Sequence, residues 1–231
     1  MQNTETHLKS SAFITDIVIG MSDGLTVPFA LAAGLSGAVQ SNSIVITAGI
    51  AEIVAGSIAM GLGGYLAGKT EQEHYATEQK REYEEVVDKP EVEKQEVREA
   101  LAGFGLSKNA QDVVADELAK DKDQWVRFMM KYELCLEEPD VNRARNSAAN
   151  IGISYIVGGL IPLSGYFFTK TPHEGLLVSS ILTVICLFIF GYFKTKVTGQ
   201  SPFKGAFKVT AIGIAAAGAA FIVAKTFNHL F

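Results

Sequence analysis

Three stretches of this chain, 148–168, 176–193 and 209–224, contain no Asp, Glu, Lys or Arg. A soluble domain interleaves charge with apolar residues at the helical or strand period, so uncharged apolar runs of this length belong in lipid. Crossing about 30 Å of hydrocarbon takes about 20 apolar residues. On that measure five spans are expected, 13–39, 44–67, 148–168, 176–193 and 209–224, the fifth short and rich in alanine. The first two differ from the rest because they carry Asp16, Asp23 and Glu52.

The chain is 48% hydrophobic yet 19% charged, and the two properties are segregated. Block 69–140 holds 20 Asp and Glu against 11 Lys and Arg, a net of −9, while the remainder holds 5 against 9, a net of +4. Lys9, Lys69, Arg143, Arg145, Lys194, Lys196, Lys204 and Lys208 all flank spans on one face, whereas the other face has only Lys170 and Lys225. Because Lys and Arg near span ends stay in the cytosol, the N-terminus and the acidic block are assigned there. The first apolar run is too long and too acidic for a cleaved leader, so a retained span is expected. Nothing resembling a sorting signal stands in the short N-terminus, which favours a prokaryotic cytoplasmic membrane over a vacuolar one. Cys135 and Cys186 lie in the acidic block and the fourth span, a placement that suggests neither a disulfide nor a thiolate metal site.

The fold class that follows is all-α: spans one and two in 1–68, an acidic helical domain in 69–142, and spans three to five in 143–231. With no breaker after Gly68, the second span is expected to continue as one helix to Asp88, followed by helices over 91–102, 108–119 and 123–137. Ser107 is the expected N-cap of the third of these four, and Gly103 and Gly105 the stop before it. Nucleotide-binding glycine loops and strand-like alternation are absent from the sequence, and no nucleic acid is expected among the partners.

A carboxylate inside a span is costly and usually marks an ion path. Asp16 and Asp23 are seven positions apart, so on a helix they differ by about 20° and share a face. Glu52 and Met60 differ by about 80° and flank one side of the second span two turns apart. Two readings of Asp16 stand, an interfacial acid or a path residue. Carboxylates suit most divalent cations, and a thioether adds softness that tilts such a site towards a first-row transition metal, although methionine in a span is ordinarily packing. Around Asp23, the run Gly20-Met21-Ser22-Asp23-Gly24-Leu25-Thr26-Val27-Pro28-Phe29 puts two glycines and a proline in one span. Broken or kinked helices of that kind often line transporter cavities. Gly20 with Gly24, and Gly64 with Gly68, also make small-xxx-small pairs suited to close helix packing.

Asp23-Gly24-Leu25-Thr26-Val27-Pro28-Phe29-Ala30-Leu31, Glu52 with Met60-Gly61-Leu62-Gly63-Gly64-Tyr65-Leu66-Ala67, Met129-Met130-Lys131-Tyr132-Glu133 and Gly158-Gly159-Leu160-Ile161-Pro162-Leu163 resemble the vacuolar iron transporter family. The resemblance extends over nearly the whole chain. It implies a dimer of five-span subunits that exchanges ferrous iron for protons along a path between the first spans of the two subunits. It also implies that Asp23, Glu52 and Met60 lie in that path, and that Glu82, Glu85, Glu93, Glu96, Met129 and Glu133, with Met130 beside them, form a cytosolic metal-binding domain. The metal is expected as cargo, with no resident cofactor, and manganese, cobalt and zinc overlap with iron in ligand preference. Spacing agrees: Glu82 and Glu85, Glu93 and Glu96, and Met129 and Glu133 are three or four apart, so each helix offers two neighbouring groups. Taken without the resemblance, most of those acids read as a solvated helix face, because Glu-rich amphipathic helices are common.

Proton coupling has a general source. Low dielectric favours the neutral form of a carboxyl group, and an arriving cation favours the carboxylate and expels the proton. Two competing classes remain in view. A membrane-anchored di-iron oxidase is suggested by Glu71-Gln72-Glu73-His74, but such sites need the Glu-x-x-His motif twice, and none of His7, His173 and His229 supplies it. A membrane scaffold leaves Asp23 and Glu52 unexplained.

Overall fold

The computed structural model describes residues 12–230, with side chains described through residue 226. Lys9 and His7, invoked above, lie outside the described residues. The described elements are helices: α1 (Ala12–Ser36), α2 (Asn42–Asp88), α3 (Pro90–Gly103), α4 (Lys108–Leu118), α5 (Lys122–Phe128), a π-helical turn (Met129–Glu133), α6 (Arg143–Phe167), α7 (Pro172–Val197) and α8 (Pro202–Leu230). Leu66–Arg143 forms one compact unit and the residues on either side of it form the other.

The second of these units is an integral membrane bundle. Five helices have the length and hydropathy to cross a bilayer, and Ile58, Ile153, Ile181 and Ile222 are 62–66% exposed, which suits them to lipid rather than water. Inside, small residues let backbones meet. A Cβ on Gly20 or Gly24 would collide with the carbonyl oxygens of Ile151 and Tyr155, so α1 lies directly against α6. Ala32, Val45, Ile53, Leu163 and Tyr166 close the core between α1, α2 and α6, and Phe29, Ala33 and Ala217 join α1 to α8. At the end of α1, the Tyr166 hydroxyl and Ser36 Oγ share a hydrogen bond of 2.9 Å, while Asn42 Nδ2 donates to the Thr169 carbonyl at 2.7 Å.

Two details depart from expectation. Of the broken and kinked alternatives for α1, the broken one is set aside: α1 is one continuous helix with Pro28 buried inside it, packed closely against α6. α8 starts at Pro202, before the expected 209, because Lys204 and Lys208 occupy its first turns and an uncharged-run criterion leaves them out.

In the Leu66–Arg143 unit, α2 continues without a break to Asp88 as anticipated. Pro90 then opens α3, and Gly105 at φ +80° makes the turn towards α4. Ser107 Oγ accepts from Ala110 N, and Asp121 accepts from Asp123 N and Gln124 N, capping α4 and α5. Lys94 with Asp116 at 2.9 Å and Arg98 with Asp112 at 2.7 Å link α3 to α4 across solvent. The core beneath holds Val86, Val97, Leu101, Ala115, Trp125, Val126, Met129 and Met130. The helix expected over 123–137 stops earlier. After Phe128 it widens to a π-helical turn in which Leu134 N donates to Met129 O at 3.1 Å, and Cys135 ends it at φ 55°.

Candidate metal-handling sites

Asp23 on α1 and Glu52 and Met60 on α2 are all half-buried within the bundle. Tyr155 of α6 brings the first two into one environment. Its backbone abuts Gly24, its ring lies against Gly56, its hydroxyl donates to Glu52 Oε1 through a short hydrogen bond, and Asp23 is within electrostatic reach of the same phenol. The other Glu52 oxygen is buried with no hydrogen-bond partner. Glu52 also borders a cleft of about 540 Å³ otherwise walled by groups such as Val27, Ala30, Leu31, Ala216 and Ala220 from α1 and α8. An oxygen ligand facing an apolar cleft, with one lone-pair set unclaimed, is able to take a cation or a proton. Asp16 has a different setting: it is 1% exposed and accepts from Ser147 Oγ at 3.0 Å and Asn150 Nδ2 at 3.4 Å. Those donors make it a satisfied tie between α1 and α6.

The acids of the other unit gather on α2, α3 and the π-helical turn. Glu82 and Glu93 are each 2% exposed, and each leaves one carboxylate oxygen buried without a hydrogen bond. Burial, then the charges of Glu133 and Glu85, push Glu82 up to about 7; burial, then Glu96 and Glu82, do the same for Glu93. Burial and the neighbouring Glu96 raise Glu133 as well. The five acids Glu82, Glu85, Glu93, Glu96 and Glu133 therefore share one field. Two bases answer these acids: Arg81, 2.8 Å from Glu78, 3.4 Å from Glu85 and 3.8 Å from Glu82, and Lys89, 3.2 Å from Glu85. Met129 and Met130 are placed in the apolar core with Val97 and Trp125. Among the described residues, no three Asp, Glu, His or Cys side chains close around a point as a formed metal site does. The arrangement is a concentrated acidic field with spare oxygens rather than a finished cage.

Tyr155, Glu78 and Arg81 carry parts of these sites that sequence reasoning passed over. A phenol in a charge-free span needs a partner when buried, and that demand was the available signal for Tyr155. Arg81 was legible only as one of several bases in a Glu-rich helix. Glu71 and His74, the basis of the oxidase reading, turn instead to Arg143 at 4.0 Å and Glu78 at 3.9 Å.

Comparison with known proteins gives this geometry a lineage. Vacuolar iron transporter 1 of Arabidopsis thaliana is 51% identical over 227 residues, covering 98% of this chain and 91% of the relative. Vacuolar iron transporter 2 of Oryza sativa subsp. japonica is 46% identical over 229 residues, covering 99% and 93%. Protein CCC1 of Saccharomyces cerevisiae is 40% identical over 220 residues, covering 92% and 68%. These relatives come from plants and a yeast, and their names lend no support to the prokaryotic cytoplasmic membrane expected above. The sequence pattern of the VIT family matches residues 14–225, through all five spans and the acidic insert between the second and third, and the chain belongs to that family.

Proposed function

We propose that this protein moves ferrous iron out of the cytosol in exchange for protons, along a path that holds Asp23, Glu52 and Met60. Iron transport across a membrane, rather than an enzymatic reaction, is what kinship with proteins named vacuolar iron transporter supports. The observation that carries the finer reading is the Glu52 carboxylate, half-unclaimed, bonded to Tyr155 beside Asp23 and facing an apolar cleft. In that setting a divalent cation and a proton compete for the same oxygens, so loading metal releases protons and an acidic far side releases metal. The thioether of Met60 biases the path towards a transition metal. Manganese, cobalt and zinc satisfy the same ligands, and competitive uptake into vesicles with and without a pH gradient separates them.

The path is taken to be completed by a second copy of the chain, with the first spans of two subunits facing one another. Glu82, Glu85, Glu93, Glu96 and Glu133, with Met129 and Met130 beneath them, serve in this reading as a collector on the cytosolic side, concentrating cations through their shared field. The deciding test is Asp23→Asn in proteoliposomes loaded with a pH-sensitive dye. Ferrous iron should move protons across membranes holding the native chain and not across those holding the variant. Equal proton movement in both removes Asp23 from the coupling step.

A further inference from the structure

A polar cavity lies in the membrane bundle, and neither Asp23 nor Glu52 is in its lining. It measures about 440 Å³ and is lined by Ser22 and Thr26 of α1, Lys194 and Thr195 near the end of α7, and Gln200, Ser201, Lys204 and Lys208 at the start of α8. Its volume falls within the range of small-molecule sites, about 300–1,000 Å³. Three lysines face it, and its lining includes no Asp or Glu.

Lys204 and Lys208 are exposed at this cavity and Lys194 is half-buried, so three like charges gathered there repel one another unless an anion answers them. Helix N-termini carry partial positive charge and are stabilised by acids. α8 has no acid in its first turn, and its opening turns carry Lys204 and Lys208 instead. Lys194, half-buried in the last turn of α7, adds a third ammonium. None of the three makes an ion pair among the described residues. A need for cytosolic lysines at span ends accounts for their number, but not for their convergence with hydroxyl and amide groups on one cavity. Lys196 meets the same need from outside the lining.

We propose that this cavity binds a phosphate group bearing at least two negative charges, presented either by an anionic lipid headgroup or by a free phosphate compound. Lysines supply the charge, while Gln200, Ser201 and the α8 N-terminus supply neutral donors, the combination that phosphate oxygens take. Ser22 directly precedes Asp23, so an occupant rests against the turn of α1 that carries the path acid. The inference is independent of which metal is carried and of the direction of transport.

The test uses the full chain in metal-free buffer. One arm titrates detergent-solubilised protein with inorganic pyrophosphate by calorimetry. The other reconstitutes it in phosphatidylcholine nanodiscs with and without phosphatidylinositol 4-phosphate and counts retained lipid by native mass spectrometry. Binding in the first arm identifies a free phosphate compound as the source, and binding in the second a lipid; either supports the site. Lys204→Ala and Lys208→Ala should each weaken binding about tenfold, the loss of one charge-assisted contact. Lys204→Arg should retain it. Lys196→Ala removes the same charge outside the cavity and should leave binding close to native. Absence of binding in both arms overturns the proposal, as does Lys196→Ala weakening it as much as Lys204→Ala.

Discussion

Tyr155 concentrates three constraints on one residue. Its ring requires glycine at position 56, its backbone requires glycine at 24, and its hydroxyl donates the hydrogen bond that Glu52 accepts. Tyr155→Phe keeps the ring and removes only the donor, leaving both Glu52 oxygens without a hydrogen-bond partner. A hydrogen bond to a charged group contributes about 1.5–3 kcal/mol, so if the phenol positions Glu52 for cargo, iron flux should fall about tenfold or more. Initial uptake into proteoliposomes measures this, with the melting temperature in detergent as the folding control. Native flux from a normally folded variant reduces Tyr155 to a space-filling residue. Gly24→Ala tests the backbone side of the same contact. Its methyl falls on the Tyr155 carbonyl, and forcing α1 away from α6 should cost about 1–3 kcal/mol. That loss is readable as a lower melting midpoint; an unchanged midpoint shows that the helices part freely there.

Among the elements, the α2 and α3 pairing sets how the acidic unit responds to pH. Glu82 and Glu93 are raised from 4.5 to about 7, first by burial and then by neighbouring carboxylates, Glu133 and Glu85 for Glu82 and Glu96 and Glu82 for Glu93. Between those values the folded chain binds more protons than the unfolded one, so stability falls as pH rises. Stabilisation by the neutral acids is complete below about 4.5 and gone once pH passes through about 7. Trp125, the chain's single tryptophan, is buried in this unit and reports on it within the full protein. Its fluorescence melting midpoint in metal-free buffer should drop as pH is taken from the lower to the upper of these values, and Glu82→Gln should flatten the drop. A midpoint that rises over the window contradicts the assignment. Much of this element was legible in advance: the unbroken run to Asp88, the Ser107 cap and the glycine turn each follow from a local rule. The early stop of α5 was not, because a π-helical turn depends on how Met129 and Met130 seat in the core. Likewise, three-residue spacing placed Glu82 beside Glu85 but carried no information on which of the two would be buried.

Taken as a whole, the molecule divides its acids between two environments, and the division assigns different kinetic roles. In the proposed path the carboxylates, Asp23 and Glu52, are few and set among apolar groups, so on that reading changing them alters the passage step itself. The acids of the Leu66–Arg143 unit are many and share one field without closing on a point, so in the collector reading they set how much metal reaches the path, not how fast it crosses. Replacing Glu82, Glu85, Glu93 and Glu96 together by Gln preserves shape and removes the field. Such a variant should need more iron for half-maximal transport, on the order of tenfold more if the field supplies about 1.4 kcal/mol, while reaching the native maximal rate. Glu52→Gln should do the reverse, lowering the maximal rate at every iron concentration. Transport rates measured across a range of iron concentrations in proteoliposomes distinguish the two patterns. If the quadruple variant loses maximal rate at an unchanged half-saturating concentration, the acidic unit takes part in the passage step, and the separation of roles drawn from its geometry is wrong.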